Sequence, residues 1–190
     1  MILWAVLAVP AALVLYRYAT VPDIWPGDLL VPTGEWSARM IIVALMLTSL
    51  GQLFPANRAV RWLIRHRRAF GVAAFGYAAL HLLFYVRDME SVAAMLAEVG
   101  APGIWTGWLA LLCLVPPVLA SNDAAMRLLR RNWKRVQRLA YPAAILTLAH
   151  WMLVHDGLAS ALVQFAPLVL LQALRLARML VSNSTERKTI

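Results

Sequence analysis

Six apolar blocks of about 17 to 22 residues run through this 190-residue chain, the length at which a helix crosses about 30 Å of hydrocarbon. They fall at about 2–18, 38–54, 69–86, 104–120, 139–154 and 159–181, with Pro, Gly and charged residues between them. Lipid offers no partner to a backbone N–H or C=O, so such blocks must satisfy their hydrogen bonds internally. The expected fold is therefore all-α: an integral membrane bundle of six transmembrane helices over 1–181 and a polar cytoplasmic tail over 182–190. A composition of 62% hydrophobic against 14% charged residues leaves nothing for a separate soluble domain. The first block lacks a basic n-region, so it is read as a retained helix rather than a cleaved signal.

A net charge of +9 raises the question of nucleic acid, and the distribution of that charge answers it. Arg58, Arg61, Arg65, Arg67 and Arg68 fall between blocks two and three; Arg127, Arg130, Arg131, Lys134, Arg135 and Arg138 fall between blocks four and five. With Arg175, Arg178, Arg187 and Lys188, these bases occupy one side of a six-span topology. The other side holds Arg17, Arg39 and Arg87 with seven acids, Asp23, Asp28, Glu35, Asp88, Glu90, Glu98 and Asp156. The positive-inside rule then puts both termini in the cytoplasm, and the expected surroundings are membrane lipid, not nucleic acid.

Other residues have modest readings. Cys113 is the single cysteine, so no intrachain disulfide and no Cys-x-x-Cys-His attachment of haem exist. Trp25, Trp36, Trp62, Trp105, Trp133 and Trp151 suggest an interfacial aromatic belt. Val21 to Ala38 reads as a turn-rich outer loop, Met89 to Val99 as a short amphipathic helix, and Ser121-Asn122-Asp123 as an N-cap before a basic corner.

Ionisable groups inside a bilayer are costly, and by these spans only His81 and His150 qualify. His81 lies thirteen residues beyond Arg68 and His150 twelve beyond Arg138, on spans that run the same way. At 1.5 Å per residue both imidazoles stand about 18 to 20 Å above the basic border. Gly71, Ala74 and Ala78 near one, and Ala143 and Thr147 near the other, leave room for a bulky planar cofactor. Two axial nitrogens suit the iron of a b-type haem better than zinc or calcium, which need more protein ligands. Hydrogen bonding between helices is the other reading of the same pair. His155 is about 140° round a helix from His150 and reads as an outer-surface residue beside Asp156; His66 reads as a solvated or headgroup contact.

The order of Arg67-Arg68-x-x-Gly71, Phe75-x-Tyr77, Leu80-His81, Trp133-x-x-x-Gln137-Arg138-Leu139-x-Tyr141 and His150 resembles the ferric-reductase-like transmembrane domain family. Thr33-Gly34-Glu35-Trp36, Thr48-Ser49, Pro55 and Ser121-Asn122 add weaker likeness. Within that family the length is most similar to the haem-binding membrane subunits of periplasmic methionine-sulfoxide reductase systems.

The resemblance implies that His81 and His150 are axial ligands of one b haem, in a multi-pass protein of the bacterial inner membrane. Electrons would come from the quinol pool or a cytoplasmic flavin reductase, with FMN as a conceivable further cofactor. They would pass to a periplasmic molybdopterin-dependent reductase subunit. Gln137 and Arg68 stand where two-haem relatives place a second pair of imidazoles, so a single haem and quinol delivery are expected. The rival readings are an outer-face ferric or cupric reductase and a non-redox scaffold or transporter.

Overall fold

The computed structural model describes residues 1–154 and 157–188, with side chains as far as residue 180. His155 and Asp156, assigned above to the outer surface, lie outside the described residues. The described chain is helical, without strands: α1 (Ile2–Thr20), a 3-10 turn (Pro26–Leu29), α2 (Leu30–Leu53), α3 (Arg58–Asp88), α4 (Val92–Glu98), α5 (Pro102–Leu119), α6 (Asp123–Leu129), α7 (Asn132–Gln137), α8 (Ala140–Val154) and α9 (Leu158–Lys188).

Among the described residues, five stretches are long and apolar enough to cross a membrane: Ile2–Thr20, Pro26–Leu53, Arg58–Asp88, Pro102–Leu119 and Leu158–Leu180. The other apolar helix, α8, has 15 residues and rises only about 22 Å.

Two helices begin earlier than the hydropathy blocks suggest. α2 starts at Leu30 instead of 38, because Pro32 occupies its first turn, where a missing N–H removes no hydrogen bond. Most of the expected outer loop, from Leu30 to Ala38, is therefore helix. α3 starts at Arg58 instead of 69, capped by Asn57, whose Oδ1 accepts the Val60 N–H at 3.1 Å. The arginines from 58 to 68 form its first turns, since Arg is a good helix former and a cap lets the helix run into water. α9 continues to Lys188, past the block end at 181.

α2 packs along α3, α5 along α8, and α9 lies on α2; the two pairs meet where α2 touches α8 and α3 touches α5. Small buried residues let α2 and α3 approach: Ser37 and Ala38 face Ala73 and Ala74, and the Ser37 hydroxyl donates to the Ala74 carbonyl at 2.9 Å. α1 is tied on by Tyr77, whose hydroxyl donates to the Leu7 carbonyl at 2.7 Å and accepts the Ala11 N–H at 3.1 Å. Those two groups would bond each other in an uninterrupted helix, and Pro10 beside them opens that turn to the phenol.

Of the six tryptophans read as a belt, Trp25, Trp62 and Trp105 are exposed. Trp151 is buried, Trp36 stacks on Tyr77, and the Trp133 indole N–H donates to the Ala120 carbonyl at 2.9 Å, so these three act in packing. Ser91 caps α4, in which no residue is buried, and Asn122 caps α6 by accepting the Ala125 N–H at 2.8 Å.

Candidate cofactor site

His81 reaches inward from α3 and His150 from α8, and their ring centres lie 6.0 Å apart with the planes at 88°. The expectation of equal height on neighbouring spans is met by direct juxtaposition. Imidazole nitrogens bind first-row metals at about 2 Å and the ring centre lies about 1 Å behind the nitrogen, so two rings on opposite sides of one metal have centres about 6 Å apart.

The outer nitrogen of each ring is already held. His81 Nδ1–H donates to the Leu30 carbonyl at 2.9 Å, and His150 Nδ1–H to the Gly103 carbonyl at 2.7 Å. A carbonyl can only accept, so in each neutral ring the proton sits on Nδ1 and the in-plane lone pair on Nε2. This is the arrangement in which a second-shell acceptor orients an imidazole and raises its basicity toward a metal.

The two holders are built alike. Each carbonyl lies in the first turn of a helix, Leu30 in α2 and Gly103 in α5, and is followed three residues on by Thr and four on by Gly. Thr33 and Thr106 donate to those same carbonyls, at 3.0 and 2.7 Å. Gly34 and Gly107 lie against the rings: a Cβ on Gly34 would come within 3.2 Å of His81 Nδ1, and one on Gly107 within 2.8 Å of His150 Nδ1. At Gly107 the imidazole occupies the space of a methyl group, and at Gly34 a methyl would fit only if the ring gave way by a few tenths of an ångström. The sequence signal was the repeated Thr-Gly pair, at 33–34 and 106–107, each opening a helix. Thr33-Gly34 lay inside a segment read as loop, and the second pair was passed over.

The imidazoles wall two cavities, of about 110 and 30 Å³. Of the small residues expected to make room, Ala78 and Thr147 do line the larger one. Ala74 and Ala143 are instead fully buried, and Gly71 lines a different cavity nearer the start of α3. Glu35 borders the smaller cavity, paired with Arg39, whose Nε donates to Gln164 of α9 at 3.0 Å. The early start of α2 places this pair on an apolar helix, so the two histidines are not the only ionisable groups at that depth.

Gln137 and Arg68 are engaged with protein groups. Gln137 Nε2 donates to the Pro117 carbonyl at 3.0 Å, and Arg68 pairs with Asp123 at 2.9 Å. That guanidinium holds the exposed Asp123 carboxyl below its ordinary value. His66 packs on Trp62 and donates to its carbonyl, as a peripheral residue would. Among the described residues, no cluster of three or more His, Cys, Asp or Glu could hold a metal ion.

Residues 33–148 match the family described as "Ferric reductase like transmembrane component". The chain belongs to that family. Three relatives each carry the name "Protein-methionine-sulfoxide reductase heme-binding subunit MsrQ". The Xanthomonas campestris pv. campestris protein is 36% identical over 157 residues, covering 80% of this chain and 70% of its own length. That of Xanthomonas oryzae pv. oryzae is 38% identical over 130 residues, 66% of this chain and 58% of its own. That of Caulobacter vibrioides is 32% identical over 161 residues, 80% and 74%. No solved structure matches. Membership of this family, with the apolar helices, makes the chain a multi-pass membrane protein. The family match includes His81 and both Thr-Gly pairs and stops two residues short of His150.

Proposed function

We propose that this chain is a haem-binding electron-transfer subunit in which His81 and His150 hold one b-type haem. The observation that carries the reading is the imidazole pair, 6.0 Å apart and backed on each side by a carbonyl acceptor. The names of the relatives, each a haem-binding subunit, agree with it. The haem supplies a one-electron carrier; the protein supplies two basic imidazoles, a dry apolar surround and glycine clearance for the rings.

The proposed topology has six crossings, with α8 as the fifth and both termini cytoplasmic. It rests on charge: the start of α3, the α6–α7 corner and the end of α9 carry nearly all the bases. The protein would then lie in a bacterial inner membrane with the histidines nearer the periplasmic face. Quinol is the proposed donor, because Gln137 and Arg68 are tied into protein contacts and provide no second haem step toward a cytoplasmic flavin such as FMN. The proposed acceptor is a periplasmic molybdopterin-dependent methionine-sulfoxide reductase, docking on exposed acids that include Asp23, Asp28, Glu90 and Glu98.

The experiment is a stopped-flow reduction of the purified protein by a soluble quinol, followed by addition of the periplasmic partner. Haem reduction by quinol and reoxidation only with partner present is the expected result. Rapid reoxidation by ferric or cupric chelates alone would instead support direct metal reduction, and protein without a Soret band would support a scaffold or transporter.

A further inference from the structure

A cavity of about 760 Å³ lies on the basic side of the bundle, away from the imidazoles. Its walls divide by chemistry. Arg65, Arg67 and Arg68 of α3, Lys134 and Arg138 of the corner before α8, and Arg175 of α9 all border it, and among the described residues no carboxylate does. The deeper part is apolar, with Ile41 and Leu45 of α2 and Leu114 and Val118 of α5.

Among the described residues, one ion pair neutralises any of these six cations, that of Arg68 with Asp123. Arg67 reaches only the Thr48 hydroxyl, at 3.4 Å. The Arg175 Nε is buried with no hydrogen-bond partner, an arrangement that costs free energy unless an acceptor is supplied from outside the chain. Bases from three separate elements converging on a cavity repel one another, and an anion in their midst removes the repulsion.

We propose that this cavity is a binding site for an anionic phospholipid of the inner leaflet, its phosphate held by Arg65, Lys134, Arg138 and Arg175 and its acyl chains on the apolar wall. The occupant must have a negative head and an apolar tail, in that order from the surface inward. The bases stand at the border of the spans, at the depth where headgroups of the basic side lie. The deeper wall of Ile, Leu and Val rewards hydrocarbon and gives a free phosphate ion nothing. The site does not depend on haem at the histidines, which line other cavities.

The test uses the full-length protein purified in mild detergent and examined by native mass spectrometry after exposure to phosphatidylglycerol, phosphatidylcholine or inorganic phosphate. Wild type is expected to retain phosphatidylglycerol through detergent exchange and to retain neither of the others. The triple variant Lys134→Gln, Arg138→Gln, Arg175→Gln is expected to lose affinity roughly a hundredfold, since each base near a headgroup contributes about a factor of five. Arg175→Lys, which keeps the charge and removes the buried Nε, is expected to lose about fivefold and guards against an unfolded triple variant. Equal retention by wild type and variants, equal retention of phosphatidylcholine, or binding of inorganic phosphate without lipid would each overturn the proposal. Preferential uptake of a soluble phosphorylated aromatic such as flavin mononucleotide would overturn it too.

Discussion

Thr106 and His150 share one acceptor: the threonine hydroxyl and the imidazole Nδ1–H both donate to the Gly103 carbonyl oxygen, each at 2.7 Å. A carbonyl divided between two donors binds each less strongly than it would bind one. In Thr106→Val the imidazole has that carbonyl to itself, gains basicity and favours the ferric state of a bound haem. The midpoint potential is expected to fall by up to about 40 mV, the equivalent of about 1 kcal/mol for one electron. Redox titration of the Soret band in wild type and variant measures it. An unchanged potential with full haem content would argue against this coupling.

The glycines facing the rings give a second prediction. Gly107→Ala brings a methyl group 2.8 Å from the His150 ring, and Gly34→Ala brings one 3.2 Å from His81. Overpacking of this kind costs about 1 to 3 kcal/mol, so haem affinity should drop about 5- to 150-fold for Gly107→Ala and less for Gly34→Ala. Gly71→Ala and Gly76→Ala, where the new methyl meets nothing within 4 Å, are the controls. They should hold haem normally and gain about 0.5 to 1 kcal/mol from helix propensity. Haem-to-protein ratio after dilution reads the first pair; thermal unfolding reads the second.

Tyr77→Phe removes the hydroxyl that bridges Leu7 and Ala11 beside Pro10. Two buried backbone groups lose their partner, a cost of about 1 to 3 kcal/mol. Detergent-solubilised protein should unfold at lower temperature while the folded fraction keeps a normal Soret band, because the phenol bonds α1 and touches neither carbonyl that holds an imidazole.

The Arg68–Asp123 pair gives an acid response whose sign is fixed. Arg68 lowers the Asp123 carboxyl in the folded chain, so the stabilisation is present above the ordinary carboxylate value and is lost as pH falls through the lowered folded value. Proteolysis at the α6 corner should speed up on acidification in wild type. In Asp123→Asn it should be fast at every pH; a wild-type acid response surviving in that variant would contradict the assignment.

Much of this architecture is legible in the sequence because lipid imposes a simple rule, and the blocks from 69 to 86 and from 104 to 120 fall within α3 and close to α5. The histidine pair was legible for a related reason, since matched distances from two basic borders translate directly into depth. Hydropathy fails where helices continue into polar sequence. Leu30 to Ala38 contains Pro, Thr, Gly and Glu, yet forms the first turns of α2, which hides the packing of Thr33 and Gly34 against His81 and the Glu35–Arg39 pair from hydropathy. The carbonyls of Leu30 and Gly103 were out of reach for a deeper reason: backbone acceptors carry no residue identity, and only the packing of α2 on α3 and of α5 on α8 shows which ones the imidazoles meet.

The most direct measurement is a reduced-minus-oxidised spectrum with haem counted per chain for wild type, His81→Ala and His150→Ala expressed in haem-replete cells. One b haem in wild type, with the low-spin spectrum lost in both variants, is the predicted result. Haem retained unchanged in either variant, or wild-type protein that is colourless, would contradict the account.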